Sequence, residues 1–261
     1  MSGVHSERIG LDLSGWRLQM TQRRHGRLLV NSLAALLRWP FPKGQSAGSL
    51  GRRADRLQIC CGCCLLGGYL DRVKKIELHT ERLSLEAPSS ADIDAITEAC
   101  QDPEIRRWVP IPVPYTRREG EAYVTGYSDS GWASGRCCTW AIHKDDEFAG
   151  AIGLDDIGGG QATIGFWMAP PFRGRGLLTE AAHAVVEFGF ASAPEGLSLM
   201  RIEWHANAGN VASARVARRV GFQFEGTLRL GVMGRQIRED DWVAGMLSTD
   251  ARRPTGWAIL P

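Results

Sequence analysis

Met168-Ala169-Pro170-Pro171-Phe172-Arg173-Gly174-Arg175-Gly176-Leu177-Leu178-Thr179-Glu180 is the stretch on which the fold turns, because a strand pattern passes into a helix pattern across two glycines. Upstream, Ala162 to Met168 is short, apolar and rich in β-branched and aromatic residues, the pattern of a buried strand. Downstream, Leu177, Ala181 and Val185 share one helical row and Leu178, Ala182, Val186 and Phe190 the next, which predicts an amphipathic helix of about four turns. Glycines at such a junction let successive N–H groups converge at a helix start, where unpaired donors and the helix dipole favour an anion. Arg173 and Arg175 add mobile positive charge at the rim. The spacing is neither that of a nucleoside-triphosphate loop nor that of a dinucleotide fingerprint, since no Gly-Lys-Ser/Thr follows and Thr179 stands where the latter needs its third glycine.

Outward from that junction, the composition is that of a globular chain, with 44% hydrophobic and 23% charged residues in 261. The net charge of +2 hides an asymmetry. Residues 1–75 hold 13 Lys and Arg against 4 Asp and Glu, leaving 18 against 25 for residues 76–261. Residues 1–75 therefore read as a basic, disordered N-terminal extension, with Val73 or a neighbour as a candidate true start. The apolar run Leu28 to Leu37 is too short to span a bilayer. Arg23-Arg24 only faintly matches an export signal, and basic charge without a fold motif argues against a nucleic-acid partner. Cys60-Cys61-Gly62-Cys63-Cys64 lacks the second ligand pair of a structural zinc site, so no metal is expected, and seven cysteines without a signal peptide fit a reducing, cytoplasmic setting.

From residue 76 the pattern becomes regular. Ile76 to Leu85 alternates as one strand, and Ser89 to Asp92 supplies a helix cap ahead of Ile93, Ile96 and Ala99. Asp102-Pro103-Glu104 is read as closing that helix, and Pro110, Pro112 and Pro114 as a stiff extended loop. Thr116 to Glu119 is a capping box for a second helix, with a break at Gly131 to Gly135. Strands are predicted at Cys138–His143, Phe148–Leu154, Ala162–Met168, Leu199–His205, Phe222–Leu228 and Ile237–Leu247, with a helix over Asn210–Val220. The fold class that follows is α+β, a three-layer α/β/α arrangement around a mixed, mostly antiparallel sheet of about seven strands, with one parallel pair beside the cradle. The folded domain is placed at 76–250, and 251–261 is taken as a C-terminal tail.

Gly165 to Pro170 running into Arg173-Gly174-Arg175-Gly176-Leu177-Leu178-Thr179-Glu180-Ala181, then Asn210-Val211-Ala212-Ser213, Gly221-Phe222 and Glu225-Gly226, resembles the GNAT acetyltransferases of the RimJ/RimL-type branch. Thr80-Glu81-Arg82-Leu83 and Asp241-Trp242 fit the same branch. The resemblance covers about residues 76 to 250 and implies acetyl-CoA as acetyl donor, with its pyrophosphate on Phe172, Arg173, Gly174, Arg175, Gly176, Leu177 and Leu178. The first position of the family's loop pattern is a departure, being Pro171. The pantetheine arm is expected against a bulged strand at Trp167, Met168 and Ala169, and Asn210 is expected to touch it or simply to cap the helix.

Acetyl transfer needs a neutral amine and a proton for the departing thiolate. No tyrosine stands in the helix after Asn210, so Ser213, which matches a serine given that role in RimL-like enzymes, is the candidate donor; filling the helix start is the alternative. The branch's base is missing, because Val232 occupies the corresponding place after Glu225-Gly226. Glu203 and His205 share a strand face with Arg201 and are candidate bases, with Asp155 and Asp156 as rivals. Trp108, the prolines and Tyr115 are expected at the acceptor entrance. The reading is an N-acetyltransferase acting on a primary amine, either a protein N-terminus or a small molecule, by direct attack in a ternary complex. It would act as a monomer or homodimer, away from membranes. The alternative is a non-catalytic acyl-CoA-binding or regulatory protein.

Overall fold

The computed structural model describes residues 74–260. The expectations for the basic extension, its start and its cysteine cluster lie outside them. An eight-stranded sheet forms the middle layer, in the spatial order β1-β2-β3-β4-β5-β6-β8-β7. The strands are β1 (Leu78–His79), β2 (Ser84–Glu86), β3 (Cys138–Lys144), β4 (Glu147–Gly158), β5 (Gln161–Met168), β6 (Arg201–Asn207), β7 (Gln223–Met233) and β8 (Arg238–Leu247). All neighbours are antiparallel except β5 and β6. The mixed sheet and its single parallel pair are as expected; the count is one higher because the run from Ile76 to Leu85 folds back on itself. Thr80 N–H bonds the carbonyl of Leu83 at 2.9 Å, and this turn pairs β1 with β2.

One face of the sheet carries α5 (Leu177–Phe190) and α6 (Val211–Val220) over the main core, in which Trp140, Ile152, Leu154, Ile164, Ile202 and Trp204 are buried. The other face carries α1 (Ile93–Ala99), α2 (Pro103–Trp108), α3 (Arg117–Glu121) and a π-helical stretch (Ala122–Ser128), which runs on into α4 (Asp129–Ser134), whose Trp132 packs edge-on against Trp140 of the main core at 5.1 Å. Two expectations change here. Asp102 does not close a helix but caps α2, accepting the Ile105 N–H at 3.0 Å with Pro103 at the first helical position. The second helical segment runs past the first of the glycines at 131–135: Gly131 is buried inside α4, and Gly135, at φ 68°, ends it.

The segment after residue 250 also joins the core. Trp257, 3% exposed, lies 5.5 Å from Trp204 and 5.4 Å from Phe224 between ring centres, and its indole N–H bonds the carbonyl of Phe222 at 3.1 Å. A boundary at 250 therefore cuts through packed structure, since an aromatic side chain this far down the chain completes the layer beneath α6. No described helix is long and apolar enough to cross a membrane.

Candidate active site

The parallel pair opens where it is needed. β5 and β6 pair from Gln161↔Arg201 to Ile164↔Trp204 and no further. Beyond that point β5 stays bound to β4 as far as Met168↔Gly150, and β6 to β8 as far as Asn207↔Asp241, so the two strands diverge while each keeps its outer partner. No bulge interrupts β5 between Thr163 and Met168; the backbone is freed by divergence instead. Ala169 N–H points to β4, bonding the Ala149 carbonyl at 2.8 Å. By strand alternation the N–H groups of Phe166 and Met168 face the gap. The Met168 carbonyl is already taken by Arg173 Nε at 2.9 Å.

At the mouth of the gap a 3-10 turn, Pro170–Phe172, leads into Gly174 at φ 73° and Gly176 at φ 76°. These left-handed angles suit glycine and aim the chain into α5, whose N-cap is Gly176. Among the described residues, no partner is found for the N–H groups of residues 174–179; the first bond of the helix is Glu180 N–H to the Gly176 carbonyl at 3.1 Å. The loop predicted as a cradle thus presents a run of free N–H groups at the start of α5. Leu177 is buried and Leu178 packs on the core, so both face the ligand side only through their N–H groups.

The charge around the cradle differs from the expectation. Arg173 is not mobile: its guanidinium bonds Met168 and the Asp102 carboxylate at 2.6 Å. Arg175 stays at the rim, 6.0 Å over the Phe172 ring. Arg82, which the sequence reading did not select, holds the Arg175 carbonyl at 3.2 Å and pairs with Glu180 at 2.6 Å. Burial would raise the Glu180 carboxyl, but bonds from Thr80 and Arg82 outweigh it and lower the pKa. An acid in the first turn of α5 is thus neutralised from 98 positions away, a pairing no local pattern reveals.

Across the gap, Asn210 caps α6 by accepting the Ser213 N–H at 3.2 Å. Trp204 Nε1 donates to Ser213 Oγ at 3.0 Å. Indole N–H is a donor only, so this bond occupies a lone pair of Ser213 and leaves the hydroxyl proton free to be given elsewhere. Trp167, in contrast, faces the other side of the sheet, stacked at a tilt against Phe148 with ring centres 5.7 Å apart.

Arg201, Glu203 and His205 do share one face. Arg201 bonds Glu203 at 2.9 Å and reaches Glu225 at 2.6 Å, while His205 Nδ1 meets Asp241 at 2.8 Å and its Nε2 lies 3.5 Å from Glu203. Bonds from His205 and Arg201 hold the Glu203 pKa down at about 2. Burial alone would depress His205, but Asp241 and Glu203 outweigh it and raise the pKa to about 9. The two candidate bases are therefore each other's partners.

A cleft of about 430 Å³ joins these elements, running from Asn210, Ser213 and Trp204 through the gap to Tyr115, Tyr127 and Asp155 under the first four helices. Trp108, Val109, Pro110 and Ile111 line its outer end, where Arg235 holds the loop by the Ile111 carbonyl at 3.4 Å and Arg107 pairs with Glu239 at 3.0 Å. The wide π-helical turn brings Tyr123 and Tyr127 together, stacked with centres 5.7 Å apart, and the Tyr127 hydroxyl donates to Asp155. Among the described residues no group of His, Cys, Asp or Glu is gathered as a metal site.

Comparison with known proteins agrees with this architecture. Residues 82–223 match the family model described as an acetyltransferase (GNAT) domain. N-acetyltransferase p20 of Bacillus licheniformis is 30% identical over 158 residues, which span 58% of this chain and 85% of that relative. RimL, the ribosomal L7/L12 alpha-N-protein acetyltransferase solved with coenzyme A, superposes with a TM-score of 0.60 at 20% identity, over 66% of this chain and 98% of its own. Mycobacterium smegmatis RimJ, solved with a CoA disulfide, gives 0.58 at 23% identity, over 63% and 81%. With more than half its length matched by the family model and its strands opening beside an N–H cradle, the chain belongs to the GNAT acetyltransferase family.

Proposed function

We propose that the protein transfers an acetyl group from acetyl-CoA to a primary amine by direct attack within a ternary complex. The observation that carries this reading is the gap between β5 and β6, which opens with the N–H cradle of residues 174–179 at one end and Ser213 beside it. The pyrophosphate fits the unpaired N–H groups and the positive end of α5. The pantetheine amides fit the free N–H groups of Phe166 and Met168, with the side-chain amide of Asn210 across the gap. Acetyl-CoA supplies the activated carbonyl. The neutral amine nitrogen forms the C–N bond as the C–S bond breaks with its electrons on sulfur; the Ser213 hydroxyl gives its proton to the sulfur, and the proton that the nitrogen sheds as the amide forms is returned to Ser213 through solvent. Orienting the two reactants in one cleft supplies much of the rate.

The acceptor is a protein N-terminus or a small amine; the likeness to RimL, a ribosomal L7/L12 alpha-N-protein acetyltransferase, favours the former. Release of free CoA from acetyl-CoA, measured with a panel of N-terminal peptides and small amines, tests the reading. Turnover on a primary amine that is lost in Gly176→Glu supports it. Acetyl-CoA binding without turnover on any acceptor would instead make this a non-catalytic acyl-CoA-binding protein.

A further inference from the structure

Two of the carboxylates on the sheet face that lines the cleft stand in very different circumstances. Thr163 on β5 stands opposite Asp155 on β4 and opposite Glu203 on β6, so the three share a face, with the two acids two strand spacings, about 10 Å, apart. Glu203 is answered by Arg201 and His205. Among the described residues Asp155 forms no ion pair, and its hydrogen-bond partner is the Tyr127 hydroxyl, which donates to it. A half-buried carboxylate without a counter-charge is costly, and the fold tolerates it at the floor of an open cleft.

The space beside Asp155 has a definite shape. The next rung on this face of the ladder is Gly153↔Gly165, so no side chain fills the floor there. A Cβ on Gly165 would stand 3.7 Å from Asp155 Oδ2, which places the carboxylate over bare backbone. Tyr123 and Tyr127 rise beside it as a stacked pair, and the faces of aromatic rings attract cations.

We propose that Asp155 docks the ammonium group of the acceptor in a well floored by Gly165 and walled by Tyr123 and Tyr127, and takes the proton that frees the amine. This deepens the acetyl-transfer reading and rests on it. The class of acceptor is a primary alkyl ammonium or peptide α-ammonium whose remaining atoms lie toward the loop at Trp108–Ile111. One ammonium proton passes to the Asp155 carboxylate. The nitrogen lone pair then attacks the thioester carbonyl, the C–S bond breaks with its electrons on sulfur, and sulfur takes a proton from Ser213. A second proton leaves the nitrogen as the amide forms, and after Ser213 is reprotonated and Asp155 gives up its proton to solvent, one proton in net is released.

The test uses the full chain with two acceptors, a tetra-alanine amide with a free N-terminus and n-butylamine, and follows CoA release across pH together with calorimetric acetyl-CoA affinity. Asp155→Asn is expected to lower kcat/KM about 100-fold on both acceptors while leaving acetyl-CoA affinity within about twofold. Tyr127→Phe is expected to shift the acid limb of the kcat/KM profile, and Asp155→Asn to abolish it. The groups facing Asp155 that could otherwise produce that limb are Tyr123, Tyr127, Cys137, Cys138 and Asp156, with Glu203 and His205 across Thr163. Gly165→Val fills the well without touching the carboxylate's charge and is expected to raise the amine KM about tenfold, whether or not Asp155→Asn folds. Wild-type kcat/KM in both Asp155→Asn and Gly165→Val overturns the inference and leaves acetyl transfer standing. A wild-type protein that binds acetyl-CoA but releases no CoA with either amine overturns both.

Discussion

Trp204 Nε1 lies 3.0 Å from Ser213 Oγ, and this single bond decides which way the serine's proton can go. The indole takes the acceptor side of the hydroxyl, so Ser213→Ala should lower kcat about 100-fold with little change in acetyl-CoA affinity, as expected for losing a positioned acid. Trp204→Phe keeps the serine but frees its rotation, and an intermediate loss is expected. Single-turnover CoA release, read beside calorimetric affinity, separates the two effects. Equal activity in all three proteins would leave Ser213 as a helix-start residue only.

Gly176 occupies a left-handed N-cap at φ 76° with open space around its α-carbon, the nearest atom to an added Cβ being Arg82 Nη2 at 3.8 Å. Gly176→Ala should therefore cost only backbone strain, about 1–2 kcal/mol. Gly176→Glu adds a carboxylate to the proposed pyrophosphate site and should weaken acetyl-CoA binding well beyond the alanine variant. Titration calorimetry on both variants checks the order, and equal affinities would remove the cradle from the binding account.

Stability should follow the pair His205 and Glu203. A raised histidine pKa stabilises fully below the unfolded value of 6.5, and that contribution is lost as pH rises through about 9. The lowered Glu203 pKa stabilises above 4.5 and is lost as pH falls toward about 2. Each amounts to on the order of 3 kcal/mol at most, and the two overlap because they share one contact. Urea unfolding across pH 5 to 10 should show a decline above pH 6.5 that flattens in His205→Gln.

Trp257→Ala should destabilise by about 3–5 kcal/mol, the range for an aromatic deleted from a core. Its contact with Trp204 links this to chemistry: the variant should also lose part of its kcat through a loosened Trp204–Ser213 bond. A chain ended at residue 250 should unfold at lower urea than one ended after 260. Coincident transitions would show that the last ten residues add nothing.

Much of this was legible in the chain. The change of period from strand to helix across Gly174 and Gly176 located the cradle, and the cap at Asn210 placed Ser213 at the start of α6. Alternation along β6 put Arg201, Glu203 and His205 on one face. These are local facts, set by dihedral preferences and side-chain periodicity within a few residues. The missed features depend on partners far apart in sequence. Arg82 neutralises Glu180, Arg173 is drawn to Asp102, and Trp257 reaches Trp204 only because the sheet brings their elements together.

The sequence by itself determined the fold class, the order of elements from β3 to β8 and the glycine turn into α5, because hydrophobic period and glycine placement act locally. Only the tertiary structure decided where charge is left over. Glu203 and His205 on a predicted strand and Asp155 just past another are equally plausible bases by sequence, but the first two meet and cancel, while Asp155 faces an open well and forms no ion pair among the described residues. Whether a buried charge is spent or available depends on what lies within a few ångströms of it, and that neighbourhood exists only once the sheet has formed.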